Sequence, residues 1–89
     1  MTNPKSPNSP TPVLYVKSFC VWCVMAERKL KQLGVRYKEV NVSKDPNAFD
    51  EMERVSGQTY APTMVVGEKV LADFGPEELE PFLKEVGLL

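Results

Sequence analysis

The sequence predicts an α/β domain: a mixed four-stranded sheet, ordered β-α-β-α-β-β-α, flanked by three helices. Three observations carry this reading. Short apolar runs rich in β-branched residues alternate with segments whose apolar residues recur at helical spacing. A C-x-x-C pair, Cys20 and Cys23, falls where the first strand-like run gives way to the first helical one. The last two strand-like runs are separated only by a glycine-led turn, the mark of a hairpin. At 89 residues the chain fits one small domain, able to bury enough surface to fold alone with modest stability.

Residues 1–12 contain four of the eight prolines and almost nothing apolar, so they are expected to form a disordered tail ahead of a domain over 13–89. Val13-Leu14-Tyr15-Val16 has the composition of a buried central strand. Beyond the cysteines, Cys23, Ala26, Leu30 and Leu33 make one apolar helical stripe. Glu27 and Lys31 are spaced as an i,i+4 pair outside it, and Gly34 supplies the stop. Val35 to Val42 is strand-like. Asp45-Pro46 then predicts an N-cap with proline at the first helical position, Ala48, Met52 and Val55 line one face beside Phe49, and Gly57 ends the helix. After Ala61-Pro62 come a strand over Thr63–Val66, a turn at Gly67-Glu68-Lys69 and a return strand over Val70–Ala72. Leu79, Phe82, Leu83 and Val86 mark a last helix. Pro81 lies awkwardly within it, which a short turn over Pro76–Leu79 and a main helix from near Pro81 would resolve. The first two strands, joined through a helix, should be parallel with a right-handed crossover, and the last two antiparallel.

Composition narrows the function classes. With 43% apolar and 26% charged residues and a net charge of −1, the chain is ordinary for a soluble domain, and no basic run points to nucleic acid or an acidic membrane. No apolar run approaches the roughly 18 residues of a membrane helix, and the N-terminus lacks the apolar core of a secretory signal. The expected compartment is therefore the cytoplasm, where a close cysteine pair is more often catalytic or metal-binding than a structural staple.

The placement of that pair has a mechanical meaning. At a helix N-terminus, unpaired backbone N–H groups and the helix dipole favour an anion. A Cys20 thiolate is such an anion, so its pKa is expected below the roughly 8.5 of free cysteine, with Lys17 adding to the effect. Cys23, one turn on and at the head of the apolar stripe, should be more buried and within reach of the first sulfur. Cys20 would then attack a substrate disulfide and Cys23 would resolve the mixed disulfide. Two cysteines and no histidine make a single-chain structural zinc site a poor fit, although a metal or cluster shared across a dimer stays open. An inert disulfide would close too short a loop to add much stability.

Tyr15 to Cys23 resembles the strand, lysine and active-site cysteines of the glutaredoxin branch of the thioredoxin-like fold. Gly57-Gln58-Thr59-Tyr60-Ala61-Pro62 resembles the segment before that family's cis-proline, and Val65 to Phe74 its final hairpin. The match spans about residues 13–86. It implies that Pro62 is cis and faces the cysteines, and that the Ala61 backbone pairs with an extended substrate or glutathione. It also places Lys17 and Gln58 at the glycyl carboxylate of glutathione, and Trp22 as an aromatic wall over the site. The chain departs from the family in having Val21 after the first cysteine instead of proline, and Thr59 where a basic residue is usual. Ala72-Asp73-Phe74-Gly75-Pro76 replaces a Gly-Gly acidic turn, with Asp73 a partial substitute. Relatives without those glutathione contacts, the small redoxins that feed ribonucleotide reductase, are reduced by thioredoxin reductase.

The expected function is thus a monomeric disulfide oxidoreductase acting on protein disulfides or glutathionylated substrates. Glutathione is its implied reductant, and no metal, nucleic acid or membrane is expected. The alternatives are a redoxin reduced by thioredoxin reductase, a dimer holding an iron–sulfur cluster through Cys20 and glutathione, and a redox sensor docking through Trp22. Each candidate also has a plainer reading. Lys17 is a solvated lysine, Gln58 and Pro62 are turn residues, and Asp73 is a strand-end cap.

Overall fold

The computed structural model describes residues 10–89; residues 1–9, most of the expected tail, lie outside the described residues. Pro12 belongs to the packed structure, because it is buried and its carbonyl accepts a hydrogen bond from Lys38 N–H at 2.8 Å. Order therefore extends at least one residue upstream of Val13.

Four strands, β1 (Val13–Val16), β2 (Lys38–Asn41), β3 (Thr63–Val66) and β4 (Lys69–Ala72), form one sheet in the order β2-β1-β3-β4. β1 pairs parallel to β2 and antiparallel to β3, and β3 pairs antiparallel to β4. This is the predicted mixed thioredoxin-like sheet. Alternation along β1 sends Leu14 and Val16 to one face and Tyr15 to the other. The first face carries the larger core, with Cys23, Ala26 and Leu30 of α1 (Val21–Leu33) and Leu79, Phe82 and Leu83 of α3 (Leu79–Glu85). The second packs Tyr15 and Val42 against Ala48 and Met52 of α2 (Pro46–Ser56).

The helix ends follow the sequence. Asp45 caps α2 by accepting Asn47 N–H at 3.0 Å, and Pro46 opens the helix. Gly34 and Gly57 close α1 and α2 in the left-handed conformation, at φ 71° and 74°.

Three expectations shift. β2 is shorter than Val35–Val42: Val35 is buried in the core but unpaired with the sheet, and the strand is an edge with Lys38 and Glu39 exposed. The hairpin loop has two residues, Gly67 at φ 62° and Glu68, because Lys69 already pairs with Val66. A 3₁₀ turn covers Pro76–Glu78, yet α3 starts at Leu79 instead of near Pro81. Pro81 lies in the first turn, where backbone N–H groups have no intrahelical acceptor, so it deletes nothing the helix uses. Glu27 also departs from its expected pairing with Lys31. Its carboxylate accepts the Tyr37 hydroxyl at 2.6 Å, tying α1 to the chain entering β2.

Two tests follow from these contacts. An added Cβ at Gly34 meets nothing within 4 Å, so only the backbone opposes it. Gly34→Ala should cost about 1 kcal/mol in a denaturant titration. Burial, followed by the Glu27 contact, pushes the Tyr37 phenol well above its ordinary 10.0. Its contribution to stability is complete below pH 10 and is lost as pH rises from there toward the folded-state value, because the unfolded phenol ionises first. The denaturation midpoint should therefore fall less steeply above pH 10 in Tyr37→Phe than in the wild type.

Candidate active site

The sheet register gathers the candidate residues at one end. Tyr15 pairs with Thr63, so as the chain leaves β1 through Val16 and Lys17 toward Cys20, it runs alongside the segment entering β3 through Ala61 and Pro62. Thr63 also pairs with Ala72, and Asp73 N–H donates to the Pro62 carbonyl at 3.0 Å, bringing the exit of β4 to the same end.

Cys20 is the N-cap of α1, in extended conformation with its Sγ accepting Cys23 N–H at 3.1 Å. The two cysteines are joined as a disulfide with a Cα–Cα separation of 5.2 Å. Cys20 is partly exposed, whereas Cys23 is 2% exposed in the larger core, the asymmetry expected of an attacking and a resolving thiol. Ala61 and Cys20 pack against that same core, and the Ala61–Pro62 bond is cis, as the resemblance implied.

Of the other expected site residues, Trp22 and Asp73 come together and Lys17 and Gln58 turn elsewhere. Trp22, 54% exposed, lines a shallow groove of about 220 Å³ with Asp73, Phe74, Gly75 and Glu77. The Lys17 ammonium lies over the Phe49 ring on α2, 5.6 Å from its centroid. Gln58 is spent within its own loop. Its Nε2 donates to Ser56 Oγ at 2.8 Å and Thr63 Oγ1 at 2.9 Å, and its Oε1 accepts Tyr60 N–H at 2.7 Å. Both amide hydrogens are used, so Gln58 shapes the cis-proline loop and presents no donor to a ligand.

Two residues that sequence reasoning passed over stand out. Thr63, fully buried in β3, accepts from Gln58 and donates to the Tyr60 carbonyl at 2.7 Å, closing the loop network from below. The available signal was a lone polar residue at the head of an apolar strand. Phe19, immediately before Cys20, has φ 56° and is fully exposed. For a bulky side chain this conformation costs on the order of 1–3 kcal/mol and persists only where the surroundings enforce it. A polar clasp supplies the constraint: Ser18 N–H donates to Ser43 Oγ at 3.0 Å, Ser43 N–H to Asn41 Oδ1 at 2.9 Å, and Asn41 Nδ2 to Ser18 Oγ at 3.4 Å. An aromatic outside every apolar stripe, next to the first cysteine, was the cue in the sequence. Among the described residues no group of three or more His, Cys, Asp and Glu side chains is arranged to hold a metal ion.

A parallel-antiparallel sheet with a C-x-x-C disulfide at a helix N-terminus and a cis-proline loop beside it defines a thioredoxin-fold dithiol protein. The glutaredoxin family model matches residues 13–71, and a glutaredoxin from Neisseria meningitidis is 38% identical over 65 residues, covering 72% of this chain and 76% of its own. The chain belongs to the glutaredoxin family. A crystal structure of a thioredoxin-like protein superposes with a TM-score of 0.76 at 30% identity, over 82% of this chain and 100% of that one. The NrdH-redoxin of Escherichia coli, a glutaredoxin-like protein with a thioredoxin-like activity profile, shares the fold at 24% identity and a TM-score of 0.68, over 80% and 92% of the two chains.

The loop network is open to test. Thr63→Val keeps the shape of the side chain but leaves one Gln58 amide hydrogen and the Tyr60 carbonyl without a partner. It should lower unfolding free energy by about 1–3 kcal/mol in urea, and by more than Thr63→Ser, which keeps the hydroxyl.

Proposed function

We propose that this protein is a thiol–disulfide oxidoreductase in which Cys20 is the nucleophile and Cys23 the resolving thiol, working in the cytoplasm as a monomer. The observation that carries the reading is the Cys20–Cys23 disulfide at the N-terminus of α1, with Cys20 partly exposed and Cys23 buried. In the reduced protein the Cys20 thiolate attacks one sulfur of a substrate disulfide. A Cys20–substrate mixed disulfide forms and the other substrate sulfur leaves as a thiolate. Cys23 thiolate then attacks Cys20 Sγ, the Cys20–Cys23 bond forms, and the second substrate sulfur leaves. Two electrons pass to the substrate, whose thiolates take up protons according to the pH. An external thiol closes the cycle by reducing the Cys20–Cys23 bond. Extended substrates pair with the backbone at Ala61, and Trp22 and Asp73 border the bound chain.

A second reading concerns the reductant, and the placement of Gln58 and Lys17 favours it. Neither is presented for the glycyl carboxylate of glutathione, since one is bonded within its loop and the other lies over Phe49. This supports reduction by thioredoxin reductase, in keeping with the activity profile of the Escherichia coli NrdH-redoxin, over reduction by glutathione.

Turnover of a disulfide substrate is measured by NADPH consumption in two coupled systems, one with thioredoxin reductase and one with glutathione and glutathione reductase. Turnover in the first alone is expected; turnover in the second alone would return Lys17, Gln58 and Asp73 to the role of glutathione ligands. In the working system Cys20→Ser should abolish activity. Cys23→Ser should lose turnover of protein disulfides and accumulate a mixed disulfide, detectable by mass, and full activity in that variant would remove Cys23 from the mechanism.

A further inference from the structure

We propose that Phe19 is a specificity-determining residue that selects protein disulfides, by packing against an apolar side chain next to the substrate cysteine. This rests on the oxidoreductase reading above and names the substrate class of the same site.

Phe19 gains nothing visible from its own fold. Its ring is fully exposed, its φ of 56° is one that bulky side chains rarely adopt, and the Ser18–Asn41–Ser43 clasp holds the loop that presents it. It directly precedes Cys20, so its Cα is about 3.8 Å from that of the nucleophile. A substrate cysteine bonded to Cys20 brings its own flanking residues to the neighbourhood of this exposed position. Val21 and Trp22, also exposed, extend the apolar surface on the other side of Cys20. Glutathione, a γ-glutamyl-cysteinyl-glycine tripeptide, has no apolar side chain beside its cysteine and leaves the ring uncovered. A protein segment with leucine or another large apolar residue there covers it and removes both surfaces from water.

The test uses the reduced full chain mixed rapidly with excess disulfide. Oxidation is followed through the fluorescence of Trp22, so no reductase is needed. The substrates are two disulfide-linked peptides, with leucine or serine beside the cysteine, and oxidised glutathione. The wild type should react about tenfold faster with the leucine peptide than with the serine peptide. Phe19→Ser and Phe19→Gly should each bring that ratio close to one, and Phe19→Leu should restore most of it. Phe19→Gly should also melt no lower than the wild type, because glycine takes the left-handed conformation freely. A wild type with no preference for leucine, or a preference kept in Phe19→Gly, overturns the proposal while leaving the oxidoreductase reading intact. So does a loss of preference that tracks a matching loss of stability. A wild type that reacts with no disulfide overturns both.

Discussion

Strand β1 is hydrogen-bonded along both edges, to β2 in parallel and to β3 in antiparallel, and the geometry of the reactive end follows from this. A strand paired on both sides cannot shift by one residue without sending Leu14 and Val16 out of one core and Tyr15 out of the other. Its C-terminal end is therefore a fixed point. The parallel neighbour arrives there carrying Asn41 and Ser43, the antiparallel neighbour departs from it just after the cis-proline, and β4 reaches it with Asp73. Cys20 follows four residues after the strand ends, too short a tether to wander, with the next residue already in α1.

Around this fixed point, polar side chains hold loops that the hydrophobic cores do not reach. Ser56, Gln58 and Thr63 tie down the turn before β3, and Ser18, Asn41 and Ser43 tie down the turn after β1. The bonds of each network run to backbone or within the network, so the flanks of the disulfide are held before any substrate arrives. Preorganisation of this kind lowers the ordering cost of binding an extended chain. The positive φ angle at Phe19 lies beside the Ser18–Asn41–Ser43 network, and the one at Asp73 beside its backbone bond to Pro62, where local preference yields to the positioning of the site.

The sequence exposed those parts of the fold that are governed by periodicity and local chemistry. The stripe from Cys23 to Leu30, the Asp45-Pro46 cap and the glycine stops each act within a few residues and are where the pattern put them, and the hairpin differs only in a loop one residue shorter. α3 starts two residues before Pro81, at Leu79, because a proline in the third helical position still lies in the first turn and removes no hydrogen bond the helix makes. β2 is shorter than its apolar residues suggest, because Val35 is core without pairing and Val42 lies just past the strand. At the site, the cysteine pair and the cis-proline were legible from motif and resemblance. The partners of Gln58, Glu27 and Lys17 were not, because a side chain's hydrogen bonds depend on which neighbours the tertiary fold supplies. Glu27 had Lys31 one turn away and took Tyr37, ten residues on, instead.

The position of Lys17 bears on how charge at Cys20 is stabilised. From sequence, the lysine and the helix N-terminus were both candidates to favour a thiolate. With the lysine ammonium over the Phe49 ring on α2, the donor that faces the Cys20 sulfur is the helix end, whose Cys23 N–H lies 3.1 Å from it. A backbone donor built into α1 cannot swing away or be screened as a flexible surface ammonium can. The same donor belongs to the resolving cysteine, so the geometry that favours the anion also keeps the second sulfur one helical turn from the first. In the proposed mechanism, activation of the nucleophile and release of the product would thus both depend on a single structural element, the first turn of α1.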